Sequence, residues 1–161
     1  MNNKSIFFLS IFSVALYSCD LFSVGSYPYR EEYVFNECSE KELIADLENL
    51  KKEYPDLSLS RHPEFKDSYT DSRKLWYSFY FQNVNTGTIF KTIIQEKNKN
   101  ETIIGLVSIC DIQDLYNWKE VNHDLKGDSN RNVKLEFENI VLSKLKRKYR
   151  KRTFWENVGI K

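Results

Sequence analysis

The chain has 161 residues, with 24 basic against 23 acidic side chains and a formal net charge of +1. That balance argues against nucleic-acid binding, which draws on a strongly basic domain. An aromatic share of 15% with only five glycines and three prolines excludes a disordered or low-complexity chain.

The first element is an export segment. Lys4 precedes an apolar run from Ile6 to about Leu16, followed by Tyr17, Ser18 and Cys19. Spanning a bilayer takes about 20 apolar residues, more than this run supplies. A charged start, a short apolar middle and a small-residue exit make a cleaved secretory signal. With aliphatic Leu16 three positions before Cys19 and small Ser18 directly before it, the segment resembles a bacterial lipoprotein signal peptide. Tyr17 departs from the pattern, being bulky for its place. The resemblance implies that residues 1–18 are removed and that Cys19 carries the lipid. Each buried methylene contributes about 0.8 kcal/mol, so two or more acyl chains hold a protein stably at a membrane. The relaxed motif and the abundance of Lys, Asn and Ile are similar to those of small spirochaete surface lipoproteins. That resemblance implies an outer-membrane or cell-surface location and no particular activity.

Residues 19–32 read as a lipidated tether, its Phe22, Tyr27 and Tyr29 docking on the domain or dipping into lipid headgroups. Residues 33–161 read as one α+β domain, long enough for a real core. Ser39 and Glu42 form a capping box. It opens a helix that runs to about Tyr54, ahead of Pro55, with Leu43, Ile44, Leu47 and Leu50 on one face. Residues 55–73 are polar and broken, with a short edge strand at Leu57 and Leu59. Strands follow over 74–82, 88–96 and 101–112, joined by polar turns as an antiparallel meander. The first carries Leu75, Tyr77, Phe79 and Phe81 on one face and Trp76 and Tyr80 on the other, which asks for cover on both sides of the sheet. A helical turn is expected around Leu115–Val121. A second long helix is expected over 130–150, with Val133, Phe137, Ile140, Val141, Leu145 and Tyr149 in one stripe. The predicted fold is α+β: an antiparallel three- to four-stranded meander flanked by an N-terminal and a C-terminal helix, in the order α-β-β-β-α.

Few residues announce chemistry. Cys38 and Cys110 remain beside Cys19, either as a disulfide worth about 4 kcal/mol on the chain-entropy model or as two separate thiols. His62 and His123 are the only histidines, and no His or Cys spacing supports a metal site. Oxygen ligands at Asp128, Asn130 and Asn132 resemble a calcium loop, but Val133 replaces its glycine and Asn139 its glutamate. A helix N-cap at Asp128 or Ser129 explains them more simply. No nucleophile elbow or phosphate-cradling loop exists, so neither catalysis nor a cofactor is expected. The densest charge feature runs from Lys144 through Lys146, Arg147, Lys148, Arg150 and Lys151 to Arg152, with Phe154 and Trp155 behind it. On a helix C-terminus these cations complement the dipole. They equally form a binding patch for an acidic partner.

The sequence therefore reads as a non-enzymatic, lipid-anchored binding protein of the cell envelope. Its expected partners are the membrane, through the lipid, and an unknown protein or polyanion. The alternative is a periplasmic inhibitor or immunity lipoprotein that docks on a toxin or enzyme.

Overall fold

A computed structural model describes residues 29–70, 75–152 and 156. Its core is one antiparallel sheet rather than a short meander. Strand β1 (Glu31–Asn36) precedes helix α1 (Glu40–Glu53), and the two-residue strand β2 (Ser68–Tyr69) follows. Then come β3 (Tyr77–Asn83), β4 (Thr88–Asn98), β5 (Glu101–Asp111) and β6 (Asp114–Glu120). Helix α2 (Gly127–Ile140) and β7 (Arg150–Lys151) complete the described chain. The seven strands lie in the order β2-β3-β4-β5-β1-β7, with β6 also pairing β5. The first half of β5 pairs with β1 (Glu31 opposite Leu106) and the second half with β6 (Ser108 opposite Glu120). Thus β1 and β6 share one edge of β5, end to end.

This overturns the α-β-β-β-α expectation. The three central strands stand close to where the sequence places them, but β1, β2, β6 and β7 join them in a mostly-β domain. Strand β1 begins at Glu31, inside the stretch read as tether. It is interior to the sheet, between β5 and β7, so Tyr33, Val34 and Phe35 are all buried and no alternation marks it. The segment around Leu115–Val121 is strand β6, paired with β5 across the tight turn after Asp111. Leu57 ends a 3-10 turn, and the short edge strand lies further on, at β2.

Local chemistry explains the helices. In α1, Ser39 Oγ accepts the Glu42 amide at 3.3 Å and the Glu42 carboxylate accepts the Ser39 amide at 2.8 Å, so the predicted box is formed. Helix α2 is shorter than expected. It starts behind Lys126 as N-cap, without a side-chain cap, and ends at Ile140; a 3-10 turn over Leu142–Lys144 and extended chain follow. A continued helix would stack Lys144 on Lys148 and Arg147 on Lys151, and like charges four apart repel. The extended path instead sends several of these cations to separate carboxylates.

Both helices cover one face of the sheet. Leu43, Leu47 and Leu50 of α1 and Phe137 of α2 pack there with Tyr33, Phe35, Phe79, Phe81, Phe90, Ile104 and Leu106. On the opposite face Leu59, Ile89 and Cys110 form a smaller cluster, with Phe65, Tyr80, Ile112, Leu115 and Trp118 against it. Cover on both sides was the expectation from the aromatics of β3, and both faces are covered, the second by a loop rather than a helix. That face also carries Glu32, 6% exposed, whose carboxylate takes Arg30 Nε at 2.5 Å and Arg152 Nη1 at 2.5 Å. The Arg30 stem crosses directly above Gly105.

Candidate binding groove on the sheet face opposite the helices

Three aromatic rings from three separate segments meet on this second face. Phe65 comes from the loop after α1, Tyr80 from β3 and Trp118 from β6. Ring centroids lie 5.4 Å apart for Phe65 and Tyr80, 5.8 Å for Phe65 and Trp118, and 6.2 Å for Tyr80 and Trp118. All three are half-buried. They wall an open groove of about 570 Å³, floored by Lys91, Val107 and Ser108 and rimmed by Glu64, Glu120, His123 and Asp124. This volume is within the usual range for ligand sites.

The groove is held by its surroundings. Leu59 packs on Ile89 and Cys110, and Gln82 Nε2 donates to the Ser58 carbonyl at 2.9 Å. Two turns then carry the loop to Phe65: the His62 amide donates to Leu59 O at 2.9 Å and the Phe65 amide to His62 O at 3.0 Å. Beyond Phe65, the Asp67 carboxylate accepts the Tyr80 amide at 3.0 Å. The floor contains a β-bulge: Lys91 pairs with Ser108 and Thr92 with Leu106, leaving Val107 as the extra residue on β5. Bulges re-aim side chains and are enriched beside functional sites.

His123 rims this groove, and His62 lines the neighbouring cavity beside Phe65. His62 Nδ1 lies 3.3 Å from Glu64 Oε1, and its ring is 6.2 Å from Phe65. His123 Nδ1 lies 2.9 Å from Asp124 Oδ1, and its ring stacks on Tyr29 at 4.5 Å. Tyr29 thus docks on the domain, as one reading of the tether had it. The Glu120 amide donating to Asp124, and His123 beside it, hold the Asp124 carboxyl below its ordinary range. Glu64 is lowered by its own backbone amide and by His62. Both therefore stay ionised at neutral pH. Among the described residues, each histidine is hydrogen-bonded to a carboxylate and not to a hydroxyl or thiol. No three His, Cys, Asp or Glu side chains converge there as metal ligands.

The basic run lies elsewhere and is largely occupied. Arg147 pairs with Asp46, Lys151 with Glu138 at 2.7 Å, and Arg150 with Glu156 at 2.8 Å and Glu101 at 3.5 Å. Arg152 holds Glu32, and the Lys144 ammonium sits 4.1 Å from the centre of the Tyr54 ring. Lys146, Lys148 and Lys151 are the exposed cations of the run. None of these residues is on the C-terminus of α2, which ends at Ile140; Lys144 closes the 3-10 turn that follows. Phe154 and Trp155, the rest of the predicted patch, lie outside the described residues, as do Cys19, Phe22, Tyr27 and Lys74.

Cys38 and Cys110 are free thiols, buried in the two different clusters on opposite faces of the sheet. Burial pushes both up, Cys110 to about 11. A second cavity of about 520 Å³ opens beside the groove loop, between Pro55, Arg61, Gln82 and Ile112, and among the described residues no Phe, Tyr or Trp lines it. No helix among the described residues is long and apolar enough to cross a membrane. No family model, no curated protein and no solved structure matches this chain.

Proposed function

We propose that this chain is a lipid-anchored protein of the cell envelope, most simply of the outer membrane or cell surface, that binds a ligand without chemically changing it. The observation that carries the binding reading is the convergence of Phe65, Tyr80 and Trp118 in an open groove on the face away from the helices. Half-buried aromatics with a few fixed polar groups are the usual lining of a ligand site. The anchor reading is supported by Lys4, the apolar run and the Leu16–Cys19 motif. A polyanion-binding role for the basic run receives less support, because Arg147, Arg150, Lys151 and Arg152 are taken up by carboxylates of the domain itself.

The anchor is tested by detergent-phase partition and palmitate labelling of the full chain against Cys19→Ala. The wild type enters the detergent phase with label, and the variant does neither. A variant that still partitions overturns the anchor. One observation favours the inhibitor reading instead: Tyr116, on edge strand β6, is 98% exposed and suits a docked protein. Protease treatment of intact cells separates the two, since a surface protein is cleaved and a periplasmic inhibitor is spared.

A further inference from the structure

We propose that the cavity at the turn end of the sheet is a second binding site, for a small zwitterion with an aliphatic side chain: a free amino acid or a short peptide. The site is separate from the groove, since no residue lines both. Three segments build it: the loop from Pro55 to His62, the β3–β4 turn and the β5–β6 turn. Hydrogen bonds fix each to the next. Gln82 Nε2 donates to the Ser58 carbonyl at 2.9 Å, the Gly87 amide to Asn83 O at 2.8 Å, and the Ile112 amide to Gly87 O at 2.8 Å. Gly87 takes a φ of +75°, and a Cβ there would fall 3.2 Å from Ile112 Cγ2, so the two turns meet closely. They enclose about 520 Å³, within the usual range for ligand sites.

The lining selects by shape and by charge. Leu59, Val84 and Ile112 supply aliphatic surface. With no aromatic ring among the described lining residues, a flat ring finds no stacking partner, while a branched alkyl group buries against the aliphatic wall. Asp56 and Arg61 also line the cavity. Among the described residues neither side chain has a hydrogen bond or an ion pair, not even with the other. A guanidinium can hold a carboxylate through two parallel N–H donors. A carboxylate accepts from an ammonium. A ligand of one sign would be drawn to one of these two residues and repelled by the other, whereas a zwitterion is drawn to both.

The test is calorimetric titration of the full chain in detergent. Leucine and dileucine are the zwitterionic probes. N-acetylleucine keeps only the carboxylate, and leucine amide only the ammonium. One or both zwitterions should bind saturably, and each blocked form at least about tenfold more weakly. Arg61→Met and Asp56→Asn should each weaken the zwitterion by about tenfold, equivalent to about 1.4 kcal/mol. Both residues are exposed, so neither change should move the melting temperature. Trp118→Leu, in the groove, should leave this binding unchanged, so the two sites fail separately. The zwitterion site is overturned if neither zwitterion saturates, if a blocked form binds as tightly as its parent, or if both charge variants bind as well as wild type. It is equally overturned if Trp118→Leu abolishes binding and Arg61→Met does not.

Discussion

Lys51 and Asp67 together close the outer edge of β3 where β2 stops. The Lys51 ammonium donates to Asp67 Oδ2 at 2.6 Å and to the Tyr80 carbonyl at 2.6 Å. Asp67 Oδ1 accepts the Tyr80 amide. Two side chains thus satisfy both backbone groups of Tyr80 that a further strand would otherwise pair, and they cover an edge that is prone to adding foreign strands. Lys51 is nearly buried, with a 12% exposed side chain above Phe79 and Phe81. Burial pulls its ammonium below the usual lysine range, and Asp67 opposes that pull.

Lys51→Met should therefore destabilise the domain by about 2–3 kcal/mol, since it leaves a carboxylate and a carbonyl without their cation. Chemical denaturation measures this. Because Asp67 also fixes the loop behind Phe65, the variant should lose groove binding as well as stability. A change below about 0.5 kcal/mol, the level of an ordinary surface substitution, contradicts the edge-closing role.

Gly105 is required by what lies over it. A Cβ there would fall 2.6 Å from Arg30 Cδ and 3.2 Å from Ile93 Cγ1. Arg30 has little freedom to retreat, held by Glu32 and by Gln95 Oε1 at 3.2 Å. Gly105→Ala should cost about 1–3 kcal/mol by overpacking. Arg30→Ala in the same chain should recover part of that, a positive coupling in a double-mutant cycle. Purely additive losses would show that the two residues do not meet.

Thiol reactivity reads the two cysteines directly. With both thiols buried and shifted upward, Cys38 and Cys110 in native protein at pH 8 should react negligibly with a soluble disulfide reagent, and unfolding should release the two equivalents of this pair. The Cys110 thiol, near 11, should gain reactivity only as pH rises well beyond the ordinary cysteine range. Zero equivalents on unfolding would mean that Cys38 and Cys110 are joined.

Within the basic run, stability and charge separate by residue. Arg147→Glu breaks the pair with Asp46 and adds repulsion, so it should cost about 1 kcal/mol, the upper end for an exposed pair. Lys148→Glu alters an exposed cation and should leave the melting temperature within error. Equal losses from both would mean that Asp46 contributes nothing specific.

What the sequence disclosed follows physical lines. The Ser39 box and the Leu43–Leu50 face are local signals, and α1 obeys them because its first turn is satisfied by neighbours in the chain. The stretches of β3, β4 and β5 were legible because polar turns punctuate long apolar or aromatic runs. Strand β6 was not: Leu115 and Trp118, three apart, imitate a helical face. A register shift between Ile109 and Asp111 lets a strand place both against the second cluster. The groove was hidden for a related reason. Phe65, Tyr80 and Trp118 belong to a polar loop and two strands, and their meeting depends on tertiary placement that no spacing encodes. The basic run was visible, but its use inside the domain was not, since Asp46, Glu101 and Glu138 are distant in sequence.

The position of β1 has a mechanical side. The described chain enters at Tyr29 and passes at once into a strand bonded on one flank to β5 and on the other to β7. A pull on the N-terminal end acts along β1, parallel to its length and across its ladders. The bonds from Glu31–Leu106 to Asn36–Glu101 then share the load and must yield together, rather than peeling one after another. A domain tugged from a membrane by its leading end would resist through a whole ladder at once, while the loop that shapes the groove lies outside the line of force.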